Sequence, residues 1–385
     1  MRKSALYFFG LVVAALVALG LVILSSAGEA NGLRLHNDAY FFMRRQFMYL
    51  GAGIAVAVLA AAFDYHRWKE WPFLAFLMYF AVLALLCAVF AFPKINGSHR
   101  WISLGPLRLQ PSEFAKLATV IAVAVWMDLA SWKVELFWRG AFWPVAIIGL
   151  LALPVMMEPD FGSVMVIGLA GFLLMFVAGT RILHILPFVG LGGAVFAARV
   201  LTNANRMARI KAYLGMAVDE AGAVVDAAAR NAAHQSQMAL VAIKRGGIWG
   251  VGLGESMQKQ AYLPEAHTDF IFAIYAEELG MVWTIVAILL FVAFFALSVY
   301  IARKATDRFG RFLTIGMAFV IFFQAMFNLG VVCGALPTKG MALPFFSYGG
   351  TNLLASFFAV GTILSVGVHS YRDSKRLIKR NVFLG

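Results

Sequence analysis

Four clusters of polar residues interrupt an otherwise apolar sequence, and the densest of them ends at residue 270. Within it, Glu265, His267 and Asp269 lie close together, directly before a long apolar run. Thr268 or Asp269 is a candidate N-cap for the helix that this run predicts. Capping needs only one short polar residue, however, and does not account for Glu265 and His267. Since a carboxylate at the mouth of a cavity is a reasonable general base, Asp269 is the candidate catalytic residue.

A second cluster runs from Arg100 to Lys116 and ends in a predicted helix. Pro111 suits the first turn of that helix. Glu113 and Lys116 are three positions apart, so they lie on one helix face. A charged pair that enters a membrane helix is costly and is functional by default. The alternative is a structural ion pair that fixes this helix to a neighbour, and the sequence leaves both interpretations open.

The other two clusters contain an acidic turn and a segment rich in glycine and proline. Asp160 is a natural N-cap for the helix that follows it; capping alone could explain its presence, and a functional role is the alternative. Residues 336–352 contain two prolines and several glycines between apolar runs, which predicts a re-entrant or broken segment. Lys339 in this segment could meet a phosphate as a point charge, unless it is a surface lysine on a rigid connection. The glycines at 250–254 lack the strand and helix of a dinucleotide site, which predicts a flexible loop.

The elements that must position these clusters are membrane helices. The chain has 385 residues, of which 62% are hydrophobic and 13% are charged. Soluble domains have about 25% charged residues. This composition excludes a soluble enzyme, a DNA-binding domain and a disordered scaffold. The net charge of +13 is explained by basic residues on the inner side of a membrane rather than by a nucleic-acid partner.

The apolar runs predict an all-α polytopic membrane protein with about ten transmembrane helices. The predicted spans are 5–26, 45–63, 72–92, 112–130, 141–157, 161–178, 182–200, 269–300, 311–333 and 345–368. The distribution of Lys and Arg places both termini in the cytoplasm. One large outer loop, roughly 201–268, separates spans seven and eight and carries short surface helices. We expect a single integral membrane domain over residues 1–385, with the first span retained rather than cleaved as a signal peptide.

These clusters, in this order on ten predicted spans, resemble the SEDS family of shape, elongation, division and sporulation proteins. The matching motifs are Arg100-Trp101-Ile102, Gln110 to Lys116, Pro159 to Gly162, His267 to Phe270, Glu277 to Gly280, and Leu343 to Gly350. The resemblance covers nearly the whole chain. Pro337-Thr338-Lys339-Gly340 is similar to the cell-division branch of the family.

The resemblance implies a peptidoglycan glycosyltransferase that polymerises lipid II, a disaccharide-pentapeptide on undecaprenyl pyrophosphate, at the outer face of the cytoplasmic membrane. The catalytic Asp of the family falls on Asp269. The family's cavity residues fall on Arg108, Glu113 and Lys116, with Lys339 and Ser347 as further members, and we add Glu265 and His267 as candidate substrate-binding residues.

Asp269 would take the proton of the acceptor hydroxyl in an inverting transfer, while cations stabilise the leaving pyrophosphate. A divalent ion is an alternative source of that stabilisation, and no cofactor is firmly indicated. The rival function is a transporter that flips lipid II between leaflets. The family further implies a class B penicillin-binding protein as transpeptidase partner, other division proteins, contact with membrane lipid, and a location at the division septum.

Overall fold

The computed structural model describes residues 3–94, 98–104, 107–214, 227–259, 263 and 266–384. Within these ranges the chain is almost entirely helical. The first helices are α1 (Lys3–His36), α2 (Phe41–Ala62), α3 (His66–Glu70), α4 (Pro72–Ala88), α5 (Pro111–Leu129), α6 (Trp143–Met157) and α7 (Phe161–Ala178). They are followed by α8 (Ile182–Leu201), α9 (Ala204–Tyr213), α10 (Ala227–Gly246), α11 (Ile271–Arg303), α12 (Arg308–Val332) and α13 (Gly350–Leu384).

The non-helical elements are short and lie between the helices. A 3-10 turn (Val89–Ala91) extends α4, and a π-helical turn (Phe137–Phe142) leads into α6. Strands β1 (Ile102–Leu104) and β2 (Leu107–Leu109) form an antiparallel hairpin directly before α5. The prediction of an all-α membrane protein is therefore confirmed, with one small hairpin in addition.

Nine helices of the described ranges are long and apolar enough to cross a membrane. They coincide with nine of the ten predicted spans. The remaining one, 112–130, coincides with α5, which is 19 residues long but carries Glu113, Lys116 and Asp128. The crossing by α5 and the orientation of the termini stay predictions.

Helix α5 lies at the centre of the bundle, where it packs against α4, α6, α7 and α12. Fifteen of its nineteen residues are buried. This burial explains its composition, because the charged side chains of α5 face protein instead of hydrocarbon. At the other extreme, α8 packs on few neighbours, and its single buried residue is Ile185.

Helix α11 is broken at Gly280, where φ is +78°. The break leaves backbone carbonyls without helical partners, and the segment after α10 supplies them. The amides of Val251 and Gly252 donate to the carbonyls of Glu277 and Glu278, each at 3.0 Å. Gly250 approaches this break so closely that a side chain at either glycine would collide with backbone. The glycine-rich stretch predicted to be a flexible loop is therefore pinned to α11.

Between α12 and α13, residues 333–349 form a non-helical segment, as the prolines and glycines predict. The predicted start of the last span at residue 345 is wrong, since α13 begins at Gly350. Phe345 has a positive φ of 68° and is buried. Its carbonyl lies directly against Gly20 of α1, where a side chain would not fit. The apolar residues from 345 onward favour a helix, but residues 345–349 pack against α1 in a non-helical conformation instead.

The described parts of the large segment 201–268 contain two helices, α9 and α10. Helix α9 begins at an N-cap, Asn203, whose side chain accepts a hydrogen bond from the amide of Arg206. Helix α10 is 20 residues long and packs along α11. The surface helices predicted within 201–268 are therefore present, and α10 is longer than the short pieces expected.

Candidate functional site

Asp269 lies two residues before α11, at the junction of three elements. The predicted helix cap is wrong: α11 starts at Ile271 after Phe270, and no side chain caps it. The backbone carbonyl of Asp269 accepts a hydrogen bond from Nδ2 of Asn328 at 2.7 Å, and the same amide group donates to the carbonyl of Met341 at 2.7 Å. Asn328 thus holds Asp269 against the 333–349 segment, with the carboxylate half-buried.

The carboxylate of Asp269 faces Gly340. An added Cβ at Gly340 would collide with Oδ2 of Asp269. Because residue 340 has no side chain, the carboxylate of Asp269 can occupy the space beside it. This close approach brings two of the predicted clusters, which are far apart in sequence, to one place.

Ser347 fixes the turn of the 333–349 segment. Its hydroxyl donates to the carbonyl of Thr268 at 2.6 Å and accepts from the amide of Leu343 at 2.7 Å. The side chain is buried. Ser347 therefore supports the backbone beside Asp269, and any direct contact with substrate stays a prediction.

His267 is held from two helices. Its Nδ1 lies 3.3 Å from the amide nitrogen of Asn31 on α1, and its ring packs on Phe42 of α2 with centroids 4.6 Å apart. Its carbonyl accepts from the amide of Tyr348 at 3.0 Å. The backbone of residues 267–269 is thus fixed by hydrogen bonds from α12 and the segment before α13. Glu265, the predicted neighbour of His267, lies outside the described residues.

Glu113 and Lys116 form the predicted ion pair, with 2.8 Å between Nζ and Oε1. Their side chains are 9% and 3% exposed, so the pair is inside the protein. Lys116 also donates to Oε1 of Gln324 at 2.8 Å, while Nε2 of Gln324 donates to the carbonyl of Ala342 at 3.0 Å. The pair therefore joins α5 to α12 and, through Gln324, to the 333–349 segment.

Asp160 caps α7 as predicted, and it does more. Its carboxylate accepts from the hydroxyl of Ser163 at 2.7 Å and from that of Ser112, on α5, at 3.1 Å. Burial acts to raise the pKa of Asp160, but Lys339 and Arg100 nearby hold that pKa below its ordinary value. The carboxylate is therefore charged and is the anionic centre of this region.

Glu158, two residues earlier, behaves differently. Burial raises its pKa to about 8, with a further contribution from repulsion by Asp160, while Arg100 opposes the shift. Neither carboxyl oxygen has a hydrogen-bond partner among the residues that the structure describes. Glu158 is therefore largely protonated at neutral pH and adds little negative charge.

Four cations surround the start of α7, and together we call them the cation cluster: Arg100, Arg206, Arg209 and Lys339. Arg100 donates to the carbonyls of Glu158 and Pro159, at 3.1 and 2.7 Å. Lys339 lies so close to Gly162 that a side chain there would displace it. Burial lowers the pKa of Lys339 to about 7; Asp160 acts to raise it, and the other three members of the cluster lower it.

Arg108 lies apart from the cation cluster, on β2. Its side chain is exposed, and its carbonyl accepts from the hydroxyl of Thr351 at 3.1 Å. It lies close enough to Tyr348 to lower the pKa of that phenol, although burial raises the pKa overall. Arg108 thus lies on the side of the site formed by Tyr348.

Comparison with known proteins identifies the chain. The family model of the cell cycle proteins FtsW, RodA and SpoVE matches residues 6–372. The chain belongs to this family. It is the SEDS family that the motifs resemble, and the match covers nearly all of the helices described above.

Individual relatives are similar over their whole lengths. The probable peptidoglycan glycosyltransferase FtsW of Trichlorobacter lovleyi is 36% identical over 359 residues, which cover 92% of this chain and 91% of the relative. Stage V sporulation protein E of Bacillus subtilis is 36% identical over 357 residues, which cover 92% of this chain and 94% of the relative.

Two solved structures share the architecture. Rod shape determining protein RodA of Thermus thermophilus aligns with a TM-score of 0.68 at 27% identity, covering 95% of this chain and 97% of that one. A chain from a peptidoglycan synthase complex, described for its coordination of polymerization and crosslinking, aligns with a TM-score of 0.69 at 29% identity over 95% and 98%.

In this SEDS protein the structure joins the predicted clusters into one site at one end of α11 and α12. Asp269 contacts the 333–349 segment, Ser347 and Lys339 belong to it, and the Glu113–Lys116 pair is linked to it through Gln324. Within the described ranges, no three His, Cys, Asp or Glu side chains lie close enough to hold a metal ion. The described carboxylates of the site are instead accompanied by cationic side chains.

Sequence reasoning missed Arg206 and Arg209. Both lie on α9, within the segment that was expected to contain only surface helices. The usable signal was their spacing of three, which places two arginines on one face of a helix. That spacing is common on exposed helices, however, and only the packing of α9 on α8 and α10 shows what surrounds these two side chains.

Proposed function

We propose that this chain is a peptidoglycan glycosyltransferase that polymerises lipid II at the outer face of the cytoplasmic membrane during cell division. The observation that carries the proposal is the half-buried carboxylate of Asp269, fixed by backbone contacts beside the cation cluster. Its relatives of similar length are named probable peptidoglycan glycosyltransferases. An integral membrane protein of this family is suited to a lipid-linked substrate.

The site supplies the parts that an inverting transfer needs. Asp269 accepts the proton of the acceptor sugar's 4-hydroxyl, whose oxygen bonds to the anomeric carbon of the donor. The bond from that carbon to the lipid diphosphate breaks, and the electron pair leaves with the diphosphate. Because the leaving group is already anionic, it needs fixed positive charge more than a proton. The cation cluster provides such charge beside Asp269.

The remaining predicted residues support this arrangement. Ser347 holds the backbone of residue 268, and the Glu113–Lys116 pair holds the 333–349 segment through Gln324. Such contacts keep a catalytic group within the small positional tolerance that bond formation requires. Arg108 and His267 both lie near Tyr348, away from the cation cluster, and are placed to meet the sugar or peptide part of a substrate.

The chain would work with a second enzyme. The related chain in a peptidoglycan synthase complex supports a class B penicillin-binding protein as partner, which crosslinks the new strand. We further propose the bacterial cytoplasmic membrane at the division septum as its location, with other division proteins as neighbours.

The test is glycan synthesis from purified lipid II in liposomes, with and without the transpeptidase partner. Wild type, Asp269→Asn and Asp307→Asn are compared, the last altering a carboxylate at the opposite end of α11 and α12. Polymer from wild type and Asp307→Asn, with none from folded Asp269→Asn, supports the proposal. Normal polymerisation by Asp269→Asn contradicts it. Movement of lipid II between leaflets without polymer identifies the rival transporter.

A further inference from the structure

Helix α9 reaches into the site with two arginines. The guanidinium of Arg206 lies 3.7 Å from the ring centroid of Phe161, the first residue of α7. Arg209 donates to the carbonyl of Thr338 at 3.3 Å, next to Lys339. One face of a ten-residue helix therefore touches both the start of α7 and the 333–349 segment.

These arginines also interact with the catalytic end of the site. Burial lowers the pKa of Arg209, and Asp269 is the first group that opposes this shift. Burial likewise lowers the pKa of Arg206, with further lowering by Arg100. Arg209 thus interacts with Asp269, and Arg206 lies at the start of α7. The charge of Arg100 acts on both arginines.

Among the residues of this region that the structure describes, basic side chains outnumber acidic ones. The cation cluster contributes three guanidiniums and the amine of Lys339, while the described acidic residues that interact with its members are Asp160, Asp269 and the largely protonated Glu158. Among the described residues, the ammonium of Lys339 makes no hydrogen bond or ion pair. The amino end of α7 adds further positive potential. Arg209 is exposed and the other three members of the cluster are partly exposed, so this positive charge can attract an anion from outside the chain.

We propose that Arg206 and Arg209 of α9 bind the diphosphate group of the lipid donor, together with Arg100 and Lys339. This inference rests on the proposed function and assigns to it residues from the large segment between α8 and α11. A guanidinium presents two parallel donors that fit phosphate oxygens, and the start of a helix favours the same anion.

The assignment gives α9 a part in breaking the donor bond. As that bond breaks, negative charge gathers on the diphosphate oxygen that leaves the anomeric carbon. Guanidiniums fixed beside that oxygen stabilise the charge without needing to accept or give a proton. The proton of the acceptor hydroxyl goes to Asp269 on the other side of the reacting carbon.

A different source of phosphate has the same chemistry. The head group of an anionic phospholipid also carries a phosphate and is abundant around a membrane protein. The two sources differ in charge and in the second phosphate, so a competition experiment separates them.

The experiment measures binding of farnesyl diphosphate, a short prenyl diphosphate, to the purified full chain in neutral detergent. The variants are Arg206→Gln and Arg209→Gln, with Arg209→Lys as the conservative change. Lys211→Gln is the matched control, because it removes one charge from an exposed position of the same helix. Folding of each variant is checked by its thermal unfolding profile.

We expect each glutamine variant to weaken binding by about 10- to 100-fold, the effect of losing a hydrogen bond to a charged group. Arg209→Lys should recover part of that loss, and Lys211→Gln should bind like wild type. Because Arg209 is one of the cations that lower the pKa of Lys339, Arg209→Gln should also move the alkaline decline in binding to higher pH. That movement would show that Arg209 and Lys339 act on the same ligand-binding region, while the loss of affinity shows that Arg209 itself contributes to binding.

Three results would overturn the inference. They are unchanged affinity in both glutamine variants, an equal loss in Lys211→Gln, and displacement of farnesyl diphosphate by phosphatidylglycerol at equal concentration. The last would show that the cluster takes a phospholipid head group.

The outcome is separable from that of the proposed function. If wild type polymerises lipid II but the glutamine variants bind normally, only the role of α9 is wrong. If wild type binds farnesyl diphosphate through these arginines but makes no polymer in the presence of its partner, the proposed reaction fails and the diphosphate site stands.

Discussion

Two polar regions lie at opposite ends of α11 and α12, and they handle charge in opposite ways. At the start of α12, Asp307 accepts from Tyr65 at 3.0 Å, from Lys69 at 2.9 Å and from the amide of Gly310 at 3.0 Å. We call this group the Asp307 cluster. Each oxygen of its carboxylate is matched by donors of the protein itself.

At the other end, the four members of the cation cluster outnumber the two described aspartates that act on them, Asp160 and Asp269. Arg100 and Arg209 donate to backbone carbonyls and form no ion pair among the described residues, although Asp160 and Asp269 lie near enough to act on them. A region in which charges are matched stabilises the fold, whereas a region with converging unmatched charge is prepared for a ligand. We therefore expect the polar residues at the Asp307 end of α11 and α12 to stabilise the fold, and those at the other end to bind a ligand.

The largest expected contrast comes from removing one carboxylate at each end. Asp269→Asn should lower the polymerisation rate by roughly 10²- to 10⁴-fold, the contribution of a general base, with little change in stability. Asp307→Asn should keep the rate and lower the free energy of unfolding by about 1 kcal/mol, since Lys69 is partly exposed. Rates are measured with lipid II in liposomes and stability by unfolding in detergent. The comparison breaks down if both variants lose the same property.

The next contrast concerns the two lysine–carboxylate pairs. Glu113→Gln leaves the buried charge of Lys116 uncompensated and should cost about 3–5 kcal/mol of stability. The double variant Glu113→Gln, Lys116→Met should recover much of that cost. A cycle on Lys69 and Asp307 should give a coupling below about 1 kcal/mol, because that pair is more exposed.

The same double variant decides between the two interpretations of the Glu113–Lys116 pair. If the pair is only structural, polymerisation returns along with stability. If it also binds substrate, polymerisation stays low in the stable double variant. The rate per folded molecule is the quantity to compare.

A third contrast uses one glycine from each region. Gly340→Ala places a Cβ against the carboxylate of Asp269 and should lower the rate by about 10-fold or more, since small misplacements of a catalytic group are costly. Gly310→Ala crowds Asp307 and Tyr65 and should lower only the unfolding temperature. Equal rates for Gly340→Ala and wild type would show that the carboxylate does not need its observed position.

The smallest contrast is in pH dependence. The charged form of Lys339 attracts the diphosphate, and its pKa is about 7. As pH rises through that value the ammonium loses its proton, so kcat/KM should fall severalfold above about pH 7. Lys339→Arg keeps its charge and should move that decline to higher pH.

Lys69 serves as the control for this profile. Burial acts to lower its pKa, but the hydrogen bond and charge of Asp307 raise it above its ordinary value. Lys69 therefore stays charged throughout the range, and Lys69→Arg should leave the profile unchanged. If Lys69→Arg moved the pH profile of kcat/KM as far as Lys339→Arg does, the two ends of α11 and α12 would not differ in function.

Local features of the site could be predicted from the sequence because local rules determine them. The cap formed by Asp160, the position of Pro111 in the first turn and the Glu113–Lys116 pair depend on neighbours within four residues. The apolar runs predicted the long helices for the same reason. These features needed no knowledge of how the helices pack.

Features that depend on packing could not be predicted. The break of α11 at Gly280 is stabilised by hydrogen bonds from the 247–252 backbone, which no local pattern reveals. The incorrect cap at Thr268 or Asp269 has a related cause, since α12 and the 333–349 segment hold that backbone instead. The arginines of α9 meet Phe161 and Thr338 only when α9 packs on α8 and α10.

The composition of α5 has a consequence for how the protein is made. A translocon sorts segments into the bilayer largely by their hydrophobicity, and an ionised side chain opposes insertion by about 2.5–3.5 kcal/mol at the middle of a helix and by less near its ends. If α5 crosses the membrane, Glu113, Lys116 and Asp128 disfavour its release into lipid as a single helix. Gln324, which accepts a hydrogen bond from Lys116, lies on α12, and α12 is synthesised much later than α5. Biogenesis would then be a cooperative event, with α5 sheltered at the translocon until the second half of the chain arrives.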